Sequence, residues 1–152
     1  MSIENLNIEA MRPLSSPRYL KNQLKRTALV EQTVVAGRFD IEAILDGRDS
    51  RLLVIVGPCS VHNTAEAMEY ARKLCAISRE LSNRLCVVMR TYFEKPRTTL
   101  GWTGLISDPY LDGSGLINVG LERARQLLLD INELGLPTAT EFLDPLVPQY
   151  IA

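Results

Sequence analysis

Two hydrophobic periods alternate along this chain, and the change from one to the other organises it. Between Leu29 and Leu45 the apolar residues Val30, Val34, Ile41, Ile44 and Leu45 share a helical stripe, and Gly47 fits a C-terminal cap. Ser16-Pro17 has the form of an N-cap followed by proline at the first helical position, opening a short helix to about Leu24. The turn "DGRDSR" at 46–51 closes this helical stretch. "LLVIV" at 52–56 is then a continuous, β-rich apolar run, which predicts a strand buried on both faces. Helical spacing returns over Thr64 to Leu81 through Ala67, Met68, Ala71, Leu74, Cys75 and Leu81, with Asn63 as N-cap. "LCVVMRTYF" at 85–93 is the next strand. Asn118 to Leu134 is an amphipathic helix whose stripe is Leu121, Ala124, Leu127, Leu128, Ile131 and Leu134; Gly135 ends it and Pro137 blocks its return. "TATEFL" at 138–143 is a third strand, and Asp144-Pro145 reads as the N-cap and N1 pair of a further helix.

Strand, helix, strand, helix, strand, helix after residue 51 makes two consecutive βαβ units, so the fold class is α/β with a parallel sheet. Residues 1–50 form a helical N-terminal extension, and residues 51–152 carry the alternating units. The connection from Glu94 to Ile117 has no clear periodicity and holds Trp102, Tyr110 and several Gly and Pro residues. A connection that long inside a compact domain is expected to be a structured functional loop. Three strands are few for a parallel sheet covered on both faces, and the final helix carries no stop signal. The expectation is a chain that stops inside a larger α/β domain.

Composition narrows the function by exclusion. The 152 residues are 46% hydrophobic and 23% charged with a net charge of −1, an ordinary globular balance with no global electrostatic case for nucleic acid or an anionic membrane. The N-terminal stretch lacks the apolar core of a signal peptide, and no apolar run is long enough to span a bilayer. Cys59, Cys75 and Cys86 are odd in number and fit no zinc spacing, which fits a reduced, cytoplasmic protein. Cys75 and Cys86 sit on apolar patterns and read as core.

Chemistry concentrates at the carboxyl ends of the three strands, where α/β folds place their ligand sites. The first strand ends in Gly57-Pro58-Cys59-Ser60, the second in Arg90 followed by Glu94-Lys95-Pro96-Arg97-Thr98-Thr99, and the third carries Glu141. Arg90, Lys95 and Arg97 put three cations in one strand-to-helix connection, suited to carboxylate or phosphate oxygens; Thr98 and Thr99 add hydroxyls and Pro96 stiffens the turn. The inferred ligand is a small anion, phosphorylated by preference, weighed against plain solvated loop charges. Cys59 reads as a packed apolar residue, a nucleophile or a metal ligand. His62, the single histidine, is too near in sequence to orient that thiol well, so a metal reading needs partners from elsewhere. "GPCSVHN" does not fit the dinucleotide-binding glycine fingerprint, so no organic cofactor is expected.

"VGPCSVHN" (56–63), "VMRTYFEKPRTTLGWTGLISDPYLDGS" (88–114) and "GLPTATEFLDPLVPQYIA" (135–152) closely resemble the class I 3-deoxy-D-arabino-heptulosonate 7-phosphate (DAHP) synthases of the feedback-regulated microbial type. The resemblance extends over nearly the whole chain. It implies a TIM (β/α)₈ barrel, of which this chain holds about three strands, preceded by the helical extension. It implies condensation of phosphoenolpyruvate with erythrose 4-phosphate and water to DAHP and phosphate, the entry to the shikimate pathway and aromatic amino acids. It implies a divalent metal of the Mn, Fe, Co or Zn type with Cys59 as a ligand. Arg90 and Lys95 would bind phosphoenolpyruvate; Lys95, Pro96, Arg97 and Thr98 would hold erythrose 4-phosphate. Glu141 would lie beside phosphoenolpyruvate and its attacking water, so Lys95 and Glu141 are the candidate catalytic residues. The feedback amino acid would sit near Asp144, Pro148 and Gln149, helped by a neighbour's segment equivalent to Asn5–Ile8 in a homo-oligomer, dimer or tetramer.

The remaining metal ligands and phosphate-binding cations of such enzymes are not in these 152 residues. The expectation is therefore an isolated chain without synthase activity, the alternative being a non-catalytic remnant or interaction fragment. Asn63 and Thr103 also stand where Asp and Lys are common. An unrelated phosphosugar aldolase would need a Schiff-base lysine at a strand end, and no strand interior here holds a lysine.

Overall fold

The computed structural model describes residues 11–97 and 100–152. Its elements run α1 (Pro17–Gln23), α2 (Ala28–Leu45), β1 (Leu52–Val56), α3 (Thr64–Glu80), β2 (Leu85–Arg90), α4 (Ile117–Glu133), β3 (Thr138–Ala139) and α5 (Val147–Ile151). The strands form one parallel sheet in the order β1-β2-β3, with Leu52 opposite Leu85 and Met89 opposite Thr138. This is the α/β class that the alternating pattern predicts.

The helices start and stop for local reasons. Ser16 and Thr27 cap α1 and α2 by accepting from Tyr19 N–H and Val30 N–H. Asn63 Oδ1 accepts from Ala65 N–H at 3.0 Å and Glu66 N–H at 3.3 Å, and its Nδ2 donates to Glu66 Oε1 at 2.9 Å. At the end of α2, Gly47 lies at φ +71° and donates to Ile44 O, while Arg48 N–H reaches Ala43 O. These paired bonds make a Schellman motif, which requires a residue able to adopt positive φ.

The core lies between the sheet and α3 and α4. Leu121, Ala124, Leu127, Leu128 and Ile131 of α4 meet Ala67, Ala71, Leu74 and Cys75 of α3 over Val87 and Met89 of β2. Leu20 of α1 and Val147, Tyr150 and Ile151 of α5 join the same cluster. On the opposite parity of β2, Cys86 and Val88 are buried too, so only the central strand is sealed on both faces. Helix α2 lies across the amino ends of the strands: Gly37 approaches Pro137, and Asp40 pairs with Arg51 at 3.0 Å.

Four expectations change. None of the five residues of β1 is buried, because β1 is an edge of the sheet rather than an interior strand. Strands β2 and β3 stop at Arg90 and Ala139, short of Phe93 and Leu143, because pairing ends where the chains turn into the site. The buried face of α2 is Val30, Thr33, Gly37 and Ala43, with Leu45 exposed, since Gly37 is what allows close approach to Pro137. Helix α5 begins at Val147, not at Asp144-Pro145; Asp144 Oδ1 instead closes the preceding turn by accepting from Leu146 N–H at 2.6 Å and Val147 N–H at 3.0 Å.

Candidate functional site

The carboxyl ends of β1 and β2 come together because Gly57 has no side chain. A Cβ at this position would stand 2.4 Å from Arg90 O and 3.1 Å from Arg90 Cβ. The turn after β1 therefore lies directly against the end of β2. Val61 N–H donates to Tyr92 O at 2.8 Å and holds the two segments in that register.

Cations converge on Cys59 as a result. Arg90 Nη2 donates to Cys59 O at 3.3 Å, and Lys95 Nζ reaches Cys59 O at 3.4 Å and Cys59 Sγ at 3.0 Å. The guanidinium of Arg90 stacks 4.0 Å above the Tyr92 ring, and its Nε is buried without a partner. Cys59 is exposed, and the Lys95 hydrogen bond and charge, with smaller help from Arg90 and Arg97, hold its thiol below the ordinary cysteine value. Such a cluster lowers the cost of placing an anion at this mouth, and it leaves donors of Arg90 and Lys95 available to one.

The long loop supplies the adjoining wall and is ordered by its own bonds. Glu94 and Gly104 form an isolated antiparallel bridge, Lys95 N–H donates to Thr103 O at 3.0 Å, and Trp102 Nε1 donates to Asp108 O at 2.8 Å. Leu105 and Ile106 are buried beneath it, and Arg123 stacks on Tyr110 while donating to Pro109 O at 2.8 Å. Arg97 Nε points back to Trp102 O at 3.5 Å, and Pro96 is exposed beside it. Thr98 and Thr99 lie outside the described residues, as do Asn5–Ile8.

Glu141 lies on the exposed segment beyond β3. Its charge reaches Glu94, whose carboxyl is pushed up chiefly by burial and then by Asp144 and Glu141. Glu94 Oε2 is buried without a hydrogen-bond partner. Sequence reasoning placed Glu94 in the connection without giving it a role; its position before the cation triplet was the available signal. Arg125 was missed as well: it is buried on α4 and donates to Leu24 O at 3.0 Å and Tyr150 O at 3.1 Å, tying the ends of α1 and α5 together. Pro148 falls in the first turn of α5 and Gln149 is exposed beside it. His62 is exposed and meets Trp102 edge to face at 6.5 Å between ring centroids.

A metal ion fits these residues only in part. Cys59 offers one thiolate donor, but no group of three or more His, Cys, Asp or Glu side chains able to hold an ion exists among the described residues. The arrangement is a cationic mouth at the carboxyl ends of a parallel sheet, and the described residues do not form a self-contained metal centre.

An α/β chain with a cationic strand-end mouth is the class that fold and site define. The family model described as "DAHP synthetase I family" matches residues 22–152, and the chain belongs to that family. It is 52% identical over 150 residues to the phospho-2-dehydro-3-deoxyheptonate aldolase of Amycolatopsis methanolica, covering 99% of this chain and 74% of that one. It is 51% identical over 149 residues to the Phe-sensitive aldolase of that name from Escherichia coli (strain K12), covering 98% of this chain and 43% of the relative. The structure of the same-named aldolase from Francisella tularensis SCHU S4 superposes with a TM-score of 0.92 at 46% identity, over 95% of this chain and 42% of that chain. The chain thus spans about two fifths of the length of the last two, and three quarters of the first.

Proposed function

We propose that this chain carries the substrate-anion portion of a DAHP synthase on the first part of a (β/α)₈ barrel. The reaction is the condensation of phosphoenolpyruvate with erythrose 4-phosphate and water to DAHP and phosphate, at the entry to aromatic amino acid biosynthesis. The observation that carries the reading is the convergence of Arg90 and Lys95 on the Cys59 turn, with Arg97 close enough to act on the same thiol.

In this reading the guanidinium of Arg90, stacked on Tyr92, pairs with a carboxylate or phosphate oxygen of phosphoenolpyruvate. Lys95 neutralises the same anion and, with Pro96, Arg97 and Thr98, faces erythrose 4-phosphate. Holding two anions on one cationic rim brings the enol carbon and the aldehyde into reach, which is catalysis by positioning. Glu141 orients the water that adds at C2. Cys59 is one donor to a divalent ion that would polarise the aldehyde when bound. Asp144, Pro148 and Gln149 border the position of a feedback amino acid, and the assembly is a homo-oligomer.

Cys59 is one donor of the metal set that this reading needs, and the absence of a group of three such donors among the described residues supports a 152-residue chain that is inactive by itself. The test is calorimetry with phosphoenolpyruvate beside a heptulosonate assay with both substrates. Binding that Arg90→Gln and Lys95→Met each weaken, without turnover, is the expected pair of results. Absence of binding overturns the substrate reading, and clear turnover overturns the inactivity.

A further inference from the structure

We propose that Asn118 and Arg12 are positioning residues for the cationic mouth: they pin the outer part of the long loop, and through it the segment that carries Lys95 and Arg97. Asn118 stands in the first turn of α4, where asparagine is a poor helix former and no side chain caps the helix. Its amide is engaged elsewhere. Oδ1 accepts from Ser15 N–H at 2.9 Å and Nδ2 donates to Pro13 O at 3.1 Å, so one side chain clamps the strap of residues 12–15 ahead of α1. From the same strap Arg12 Nη1 donates to Ser114 O at 3.4 Å. These contacts join residues 102 to 105 positions apart.

The loop needs such holders. Its middle is anchored by burial: Leu105 and Ile106 are covered, and Gly120 of α4 lies so close that a Cβ there would meet Ile106 O. Its outer part has no such anchor at Leu111, which is 55% exposed and sits at φ +57°, a left-handed conformation that disfavours a residue with a Cβ. Strain of this kind persists only where surrounding bonds impose it. Here those bonds form one series. Arg12 holds Ser114 O, Ser114 N–H donates to Asp112 Oδ1 at 2.9 Å, and Asp112 N–H donates to Asp108 Oδ1 at 3.2 Å. Asp108 N–H donates to Gly104 O at 2.9 Å, while Asp108 O accepts from Trp102 Nε1. Gly104 bridges to Glu94, Thr103 O accepts from Lys95 N–H, and Trp102 O accepts from Arg97 Nε. Every group in the series lies between Arg12 and Asn118. Loss of the strap contacts lets the outer loop relax from the Leu111 conformation, and Trp102 and Arg97 lose a fixed neighbour. The proposal rests on the substrate reading above only for what Arg97 holds.

Trp102 is the single tryptophan of the chain and stands inside the series, so its fluorescence reads the loop without any substrate. The test compares the 152-residue chain with its Asn118→Ala and Arg12→Ala variants. Both side chains are exposed, and alanine favours α4, so the helical circular dichroism stays unchanged. The expected result is a rise of about 1.5-fold or more in acrylamide quenching of Trp102 as the loop loosens locally. In calorimetry, erythrose 4-phosphate binds about threefold or more weaker to both variants. Phosphoenolpyruvate binding changes less, because Arg90 is held by Cys59 O and the Tyr92 ring rather than by the loop. Thr27→Ala, which removes the α2 cap away from the series, leaves the quenching as it is. Quenching that neither variant changes, or that Thr27→Ala raises equally, overturns the pinning. Raised quenching beside unchanged erythrose 4-phosphate binding overturns the positioning role. A parent chain that binds neither substrate, while both variants raise the quenching, removes the substrate reading and leaves the pinning standing.

Discussion

Gly57→Ala tests whether the close approach of β1 to β2 builds the site. The added Cβ would sit 2.4 Å from Arg90 O and 3.1 Å from both Arg90 C and Arg90 Cβ. Two of these three atoms are backbone in the central strand, so no flexible side chain can swing away. Overpacking costs typically ~1–3 kcal/mol, and a backbone obstacle puts this case at the upper end. Alanine restricts the unfolded chain and returns ~0.4–1 kcal/mol. The net loss is about 2–2.5 kcal/mol, or about a 30- to 70-fold rise in the unfolding constant. At roughly 2–4 °C per kcal/mol for a chain of this size, the melting point falls by about 4–10 °C. The shift also opens the long contacts of Cys59 O with Arg90 at 3.3 Å and Lys95 at 3.4 Å. Urea denaturation by circular dichroism reads the first effect, and the rate of Cys59 alkylation against pH reads the second. A variant within about 0.5 kcal/mol of the parent, with an unchanged alkylation profile, refutes the reasoning.

Other substitutions test other parts of the structure. Lys95→Met removes the hydrogen bond and charge that hold the Cys59 thiol down, so the midpoint of its alkylation profile moves to higher pH; an unmoved midpoint would show that Lys95 does not set it. Glu94 has a folded pKa above its unfolded value, so the folded state holds its proton more tightly. Its contribution to stability is complete below the ordinary glutamate pKa and fades as pH rises through the raised folded value. Glu94→Gln flattens that part of the pH-stability curve, and an unchanged slope in thermal melts counts against the assignment. Leu127→Ala, at a 2% exposed position of α4, costs about 2–5 kcal/mol in urea melts. Asn63→Ala loses the cap of α3 and costs ~1 kcal/mol by the same measurement, and no loss would mean that the cap bonds are not formed in solution.

Local pattern was enough where one stretch of chain controls its own structure. The stripe of α4 is buried from Leu121 to Ile131, and Asn63 caps α3, because both depend on spacing and on the nearest backbone groups. The strand-end positions of Cys59, Arg90 and Lys95 followed from the alternation of elements, since a parallel sheet sends its carboxyl ends to one side. That Lys95 would contact the thiol, and that Tyr92 would carry the Arg90 guanidinium, did not follow. Those contacts depend on how close two strand ends come, and that distance is set by Gly57.

Burial at β1 and at Arg125 was decided by tertiary structure. "LLVIV" has the composition of an interior strand, yet β1 is an edge with no buried residue, because composition records what a strand can bury and not whether a neighbour is present. Arg125 shows the converse: a charged residue on a helix pattern is buried because carbonyls from the ends of α1 and α5 arrive around it. Asp144 closes a turn rather than starting α5, a choice made by the path of the chain after β3. By itself the sequence determined the order of the elements, the caps at Ser16, Gly47 and Asn63, and the chemical types gathered at the strand ends. The tertiary structure decided which apolar faces found partners and which cations met, since both depend on segments far apart in the chain.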